Sequence, residues 1–119
     1  MSEIKITATE KGLNIEARNE KFNLSYDEAR LPWRDGRKWC EKNGGTLPSL
    51  AQLAVLYEFF EEINASLRDQ GGTELSRTFY WSSSEYGSTG AWVVPFGSGG
   101  MGDNHKFIAY RVRAVAAFQ

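Results

Sequence analysis

One cysteine and one histidine are all that this chain of 119 residues offers to thiol and imidazole chemistry. A lone Cys40 cannot close an intrachain disulfide, and a zinc site built on cysteines is excluded. Cys40 falls inside an apolar helical pattern, as a small buried hydrophobe does, and a reactive thiol is the other reading. Charge of one sign is also missing. Fourteen Lys and Arg against fifteen Asp and Glu leave a net charge of -1, which makes no global electrostatic case for nucleic acid or an anionic membrane. Arg34, Arg37 and Lys38 form a local basic cluster, but Asp35 and Glu41 interrupt it, as on a solvated helix face. No apolar run approaches the roughly 20 residues that span a bilayer. The opening residues, Met1 to Lys5, have no basic flank followed by an apolar run, so no signal peptide is visible. The chain is therefore expected inside a cell, in a virion, or as a mature fragment whose signal was removed.

What is present reads as a globular protein. Hydrophobic residues make up 41% and charged residues 24%, so a chain of this length fits one domain, 1–119. It can bury roughly two thirds of its unfolded surface, enough for a core without metal or disulfide. Residues 3–8 alternate with Ile4 and Ile6 on one face. Glu10-Lys11-Gly12 is a turn signal, and Leu13, Ile15 and Ala17 alternate again, which predicts a hairpin. Phe22 and Leu24 add a third short extended run. This hairpin region, 1–26, precedes the rest of the domain, 27–119.

Two helices are expected next. Leu31-Pro32-Trp33 begins the first, because proline is tolerated in an opening turn. Trp33, Gly36, Cys40 and Asn43 share one side, and Gly36 suggests close approach of another backbone. Asn43-Gly44-Gly45 ends it with residues that accept left-handed dihedrals. Ser49 and Gln52 make a capping box for the second helix. Leu50, Leu53, Tyr57, Phe60, Ile63, Asn64 and Leu67 then recur at three and four residues over about five turns, facing the core. Gln70-Gly71-Gly72-Thr73 ends that helix.

The last third carries three strand-like runs, 79–86, 91–96 and 110–118, rich in aromatic and β-branched residues. Tyr110, Val112 and Ala114 share one face and Arg111 and Arg113 the other, which predicts one buried and one wet face. Trp92, Val94 and Phe96 line one face of the middle run. Trp92, Val94, Phe96, Val112 and Phe118 are expected in the core with Leu53, Tyr57 and Phe60.

The loops between these runs hold the candidate chemistry. Ser82, Ser83 and Ser84 lie beside Glu85, but no Gly-x-Ser-x-Gly elbow surrounds them, and serines there commonly bond their own backbone. Gly97 to Lys106 lacks the lysine-serine/threonine ending of a phosphate loop. Asp103, Asn104 and Glu85 could offer oxygens to calcium. Tyr86, Ser88, Thr89, Ser98, Met101, Asp103, Asn104, His105 and Phe107 mix aromatic with small polar residues, the composition of antibody binding loops. Ordinary solvent loops share that composition.

Two blocks resemble a known family. Phe79-Tyr80-Trp81-Ser82-Ser83-Ser84-Glu85-Tyr86, Ala91-Trp92-Val93-Val94-Pro95-Phe96 and Tyr110 to Phe118 resemble the C-terminal half of C-type-lectin-like domains. These are the domains of bacterial and phage surface proteins, of the type that ends Legionella collagen-like adhesin. The nearest likeness is to the variable proteins of diversity-generating retroelements. Gly45-Thr46-Leu47-Pro48-Ser49-Leu50-Ala51-Gln52-Leu53 is similar to the Gly-x-Arg-Leu-Pro-Thr-x-x-Glu-Leu signature of that family, which formylglycine-generating enzymes share more loosely. Thr46 stands where the signature has Arg, and Gln52 where it has Glu. The likeness reaches back to about Trp33, over roughly three quarters of the chain.

The resemblance implies an α+β, C-type-lectin-like fold, with a twisted, mainly antiparallel sheet and two packed helices, in which the first and last strands pair. It implies a non-catalytic domain that recognises a protein or glycan on a cell surface through loops between residues 82 and 109. Tyr86, Ser88, Thr89, Ser98, Met101, Asp103, Asn104, His105 and Phe107 would then be its ligand-binding residues. A phage tail tip or bacterial surface is the implied setting, with no cofactor, no nucleic acid and no membrane insertion, and a homo-oligomer is compatible with it. The calcium-lectin motifs Glu-Pro-Asn and Trp-Asn-Asp are missing. Formylglycine-generating activity needs a cysteine pair, so it does not carry over. The alternative is a structural subunit of a phage tail or pilus-like assembly.

Overall fold

The alternation at the N-terminus closes into a hairpin. The structure, a computed structural model, describes residues 3–97 and 102–119. Strands β1 (Lys5–Ala8) and β2 (Gly12–Ala17) pair antiparallel. A two-residue turn, Arg18 and Asn19, both with positive φ, leads into β3 (Glu20–Leu31). That turn geometry matches the twist of the strands it joins. The short third run of the sequence is thus a strand of 12 residues, and it crosses the expected boundary at residue 27.

Helix α1 (Trp33–Lys42) follows, with Pro32 as its N-cap. Ser49 caps α2 (Leu50–Glu58) in the expected box: its hydroxyl accepts the Gln52 amide at 3.0 Å, and the Gln52 side chain accepts the Ser49 amide at 2.8 Å. The five-turn helix is not continuous. Phe59 leaves helical dihedrals (φ -107°, ψ 32°), and α3 runs from Phe60 to Asp69. Phe59 and Phe60 are both buried, and the bend lets consecutive rings reach one core. Among the described residues, three helices therefore stand where two were expected. Strands β4 (Phe79–Tyr86), β5 (Gly90–Pro95), β6 (Gly102–His105) and β7 (Tyr110–Ala116) complete the chain.

Among the described residues, seven strands form one open sheet, ordered β1-β2-β3-β7-β4-β5-β6. Every pairing is antiparallel except β4 with β7. The strand before the helices, β3, pairs with the last strand, β7, and the hairpin flanks that pair.

Both faces of the sheet are covered. Helix α1 packs on β7, β3 and β4, whereas α2 lies over β3, β4 and β5 and α3 over β1. Successive residues therefore split between two cores. Tyr80, Val94 and Val115 join Leu53, Phe60 and Phe96, while Trp81, Val93, Val112 and Ala114 join Trp33 and Cys40. This corrects the expectation of one wet face on β7. Arg113, assigned there, is 0% exposed. Trp92 and Phe118 are corrected too: Trp92 stays half-buried with its ring edge-on to Tyr86, and Phe118 is 44% exposed. Tyr57 is only partly buried against the larger core.

Arg113 fills a bulge in β3, where the register with β7 shifts between Leu24 and Glu28. Its guanidinium donates to the carbonyls of Ser25 (3.2 Å), Tyr26 (3.0 Å) and Thr73 (2.5 Å) and lies 3.4 Å from Glu28. Its Nε has no partner among the described residues. The Tyr80 hydroxyl donates to Glu28 at 2.8 Å. Burial pushes the Glu28 carboxyl above its ordinary value, against the pull of Arg113, Tyr80 and Arg111. Burial also pushes the Tyr80 phenol up to about 12 and lowers Arg113.

Gly36 allows close approach, but of a side chain rather than a backbone: a Cβ there would sit 2.7 Å from Val112 Cγ2. Asn43 is exposed as the C-cap of α1 and does not share the buried side of Trp33, Gly36 and Cys40. Cys40 is buried, as a small hydrophobe, and burial pushes its thiol up to about 12.

Candidate functional site

The serine run of β4 builds a bulge. The register with β5 shifts between Trp81 and Glu85. Ser82 is buried, its hydroxyl accepts the Ser84 amide at 3.1 Å, and the Ser83 amide donates to the Pro48 carbonyl at 2.8 Å. The Trp33 indole donates to the Ser82 carbonyl at 2.9 Å, which fixes the bulge to α1. The serines thus hold backbone, and among the described residues no hydrogen bond joins His105 to any of them.

Past the bulge, β4 and β5 turn through Gly87, Ser88 and Thr89. The next segment, loop-like in its Gly, Ser, Asp and Asn content, contains a strand. Strand β6 pairs with β5, with Gly90 opposite His105 and Ala91 opposite Asn104. This pairing sets the 102–105 segment beside the 86–90 turn. The Lys106 amide then donates to the Thr89 carbonyl at 2.8 Å, and the Trp33 amide to the Lys106 carbonyl at 3.0 Å.

Lys106 is the residue that sequence reasoning missed. Its side chain is 4% exposed. Its Nζ donates to Glu85 at 2.6 Å and to the Ser88 carbonyl at 3.2 Å, and lies 4.5 Å from the centre of the Trp33 ring. A lysine in a Gly/Ser/Asp loop gives no sign of burial in the sequence, because its partners come from α1 and β4. The Lys106 ammonium holds the Glu85 carboxyl below its ordinary value by hydrogen bond and charge. Glu85 is thereby engaged, although the sequence reading offered it to calcium.

The candidate binding residues fall into three groups. Tyr86 (57% exposed), Ser88, Thr89, Asn104, His105 and Phe107 (80% exposed) are brought together by the β4–β5 turn, the end of β6 and the β6–β7 loop. Asp103 occupies a β6 position opposite Trp92, and its side chain lies outside the described residues. Ser98 and Met101 lie outside them altogether. His105 and Phe107 stack with ring centres 4.7 Å apart, and His105 Nδ1 accepts the Phe107 amide at 3.3 Å. A concavity of about 230 Å³ beside α1 is lined by Trp33, Arg37, Glu41, Thr46, Leu47, Ser83 and Glu85. Trp33 and Leu47 contribute apolar lining, and Arg37, Glu41 and Glu85 contribute charged lining.

Among the described residues, no group of three or more His, Cys, Asp or Glu side chains could hold a metal ion. Among the same residues, no helix is long and apolar enough to cross a membrane. No model of a known protein family matches the chain, and no curated protein matches it.

Proposed function

We propose that the chain is a non-catalytic ligand-recognition domain of the C-type-lectin-like kind, presenting a variable loop surface from a phage or bacterial surface protein. The observation that carries this reading is the anchoring by Lys106. A buried cation inside a loop ties the turn at 86–89 and the segment at 104–107 to α1, yet leaves Tyr86 and Phe107 exposed. Binding surfaces are commonly made of loops held on a rigid scaffold. Exposed aromatic rings among Ser, Thr, Asn and His supply contact area at low entropic cost and adaptable hydrogen bonds. The resemblance implies pairing of the first and last strands; here the last strand, β7, pairs with the third, β3, and the first, β1, lies at the sheet edge beside β2.

The ligand is a protein or glycan on a cell surface, and arrays of both identify it. The triple change of Tyr86, His105 and Phe107 to alanine is then expected to stay cooperatively folded and to lose binding, because exposed loop positions usually change stability by within about 0.5 kcal/mol. A variant that unfolds, or that binds as well as its parent, sinks the reading. Diversification is tested in the neighbouring DNA. A near-identical repeat of the region encoding 80–118, differing mainly at adenines and beside a reverse transcriptase, is the expected finding.

A second reading, a structural subunit of a tail or pilus-like assembly, draws on the two open edges of the sheet, β1 and β6. Such edges can pair with another chain. Self-assembly in light scattering, with arrays silent, would favour it.

A further inference from the structure

Where β3, β7 and β4 run side by side, Arg30 stands directly opposite Arg111, and Tyr80 is the β4 neighbour of Arg111. Directly opposed residues project to one face of a sheet, and like charges so placed repel. Arg113, two residues on, shares that face. One buried carboxylate answers these cations. Glu28, with its side chain 3% exposed, lies 3.5 Å from Arg111 and 3.4 Å from Arg113, and it also accepts the Tyr80 hydroxyl. Asp27, exposed at the bulge, adds its charge to Arg113. Among the described residues the Arg30 side chain, exposed at the end of β3, has no ion-pair or hydrogen-bond partner. Glu28 is thus shared between Arg111 and Arg113, and Arg30 has no carboxylate of its own among the described residues.

These two side chains, with Thr78, Phe79 and Tyr110, line a concavity of about 320 Å³ at the end of the sheet where β4 and β7 begin. Phe79 is 41% exposed, and its ring centre lies 5.1 Å from that of Tyr110. Phe79 and Tyr110 belong to the sheet face opposite Arg30 and Arg111, so the concavity brings the aromatic pair and the two arginines together around the end of the sheet.

We propose that this concavity binds an oxyanion, a carboxylate or phosphate, carried on a planar apolar ring. The guanidinium groups donate charge-assisted hydrogen bonds to the oxyanion, and their fork geometry suits paired oxygens. The ring lies against Phe79 and Tyr110, where stacked or edge-on aromatic contacts are favourable. The volume is that of a small-ligand pocket. The site involves none of the residues of the 86–89 turn or the 104–107 segment, and it does not rest on the recognition reading.

The test is calorimetric titration of the full chain with inorganic phosphate, phenyl phosphate and benzoate, each at constant ionic strength set with chloride. Phenyl phosphate or benzoate is expected to bind saturably and more tightly than inorganic phosphate, and whichever of the two is tighter identifies the oxyanion. Arg30→Gln and Arg111→Gln are each expected to weaken binding about tenfold or more, the loss of one charge-assisted hydrogen bond. Phe79→Ala should bring the ring-bearing ligands down to the level of inorganic phosphate. Arg30→Gln should leave the ligand-free melting temperature unchanged or raised, since it relieves repulsion. Absence of saturable binding by all three ligands overturns the proposal, and so does binding that both glutamine variants retain. A clear fall in melting temperature of ligand-free Arg30→Gln would also overturn it, by showing that Arg30 already has a protein partner.

Discussion

Replacing Arg113 by methionine removes the cation around which the β3 bulge is folded. The side chain is 0% exposed and supplies donors to three backbone carbonyls, those of Ser25, Tyr26 and Thr73. Methionine fills a similar volume, so the change is electrostatic more than a matter of packing. It leaves the Glu28 carboxylate, 3% exposed, with only the Tyr80 hydroxyl and the half-exposed Arg111 at 3.5 Å. Removing one partner of a buried ion pair typically costs about 3–5 kcal/mol, because the other charge is left uncompensated. For a domain of this size that corresponds to a fall in melting temperature on the order of 10–20 °C. The companion change, Glu28→Gln, removes the stranded charge. The double variant is therefore expected to be less destabilised than the two singles added together, by about 0.5–3 kcal/mol in a double-mutant cycle. Urea denaturation of the four proteins gives the cycle directly. A loss below about 1 kcal/mol for Arg113→Met, or strict additivity, would refute the argument that the pair and the bulge depend on each other.

The two buried-face assignments are tested by comparing tryptophans: Trp81→Ala, at a site 0% exposed, should cost about 3–5 kcal/mol and half-buried Trp92→Ala clearly less, and denaturant melts showing the reverse order would overturn the facing of β4 and β5. Gly36→Ala gains about 1 kcal/mol of helix propensity but forces a Cβ to 2.7 Å from Val112, at about 1–3 kcal/mol of overpacking. It should therefore destabilise the parent and stabilise a Val112→Ala background, and the same sign in both would show that Val112 is not the obstacle. Glu85 is held below its ordinary value of 4.5 by Lys106, so its contribution is present above that pH and is lost as pH falls through the depressed folded value. The melting-temperature difference between parent and Glu85→Gln should accordingly narrow in acid, from a small value because the carboxylate is 51% exposed, and a difference that ignores pH would show the pair contributes nothing.

The parts of this protein that were legible in the sequence are those decided by neighbours along the chain. A capping box spans three residues, so Ser49 and Gln52 announce the start of α2 by themselves. Alternation over a few residues placed β1, β2, β5 and β7, and aromatic and β-branched content placed β4, because a strand needs only its own dihedrals and side-chain types. The exposed residues of the 86–89 turn and the 105–107 segment were likewise visible as loop chemistry. Tertiary structure decided which face of each strand is covered, since a period of two cannot say whether helices lie on one side of a sheet or on both. It decided that Trp92 and Phe118 stay partly in water although they alternate with core residues. It also decided the fate of the charges. Arg113 reaches a carbonyl 88 positions earlier in the chain, and Lys106 a carboxylate 21 positions earlier. A charged side chain is buried only where such distant partners meet it, and no local pattern of residues encodes that meeting.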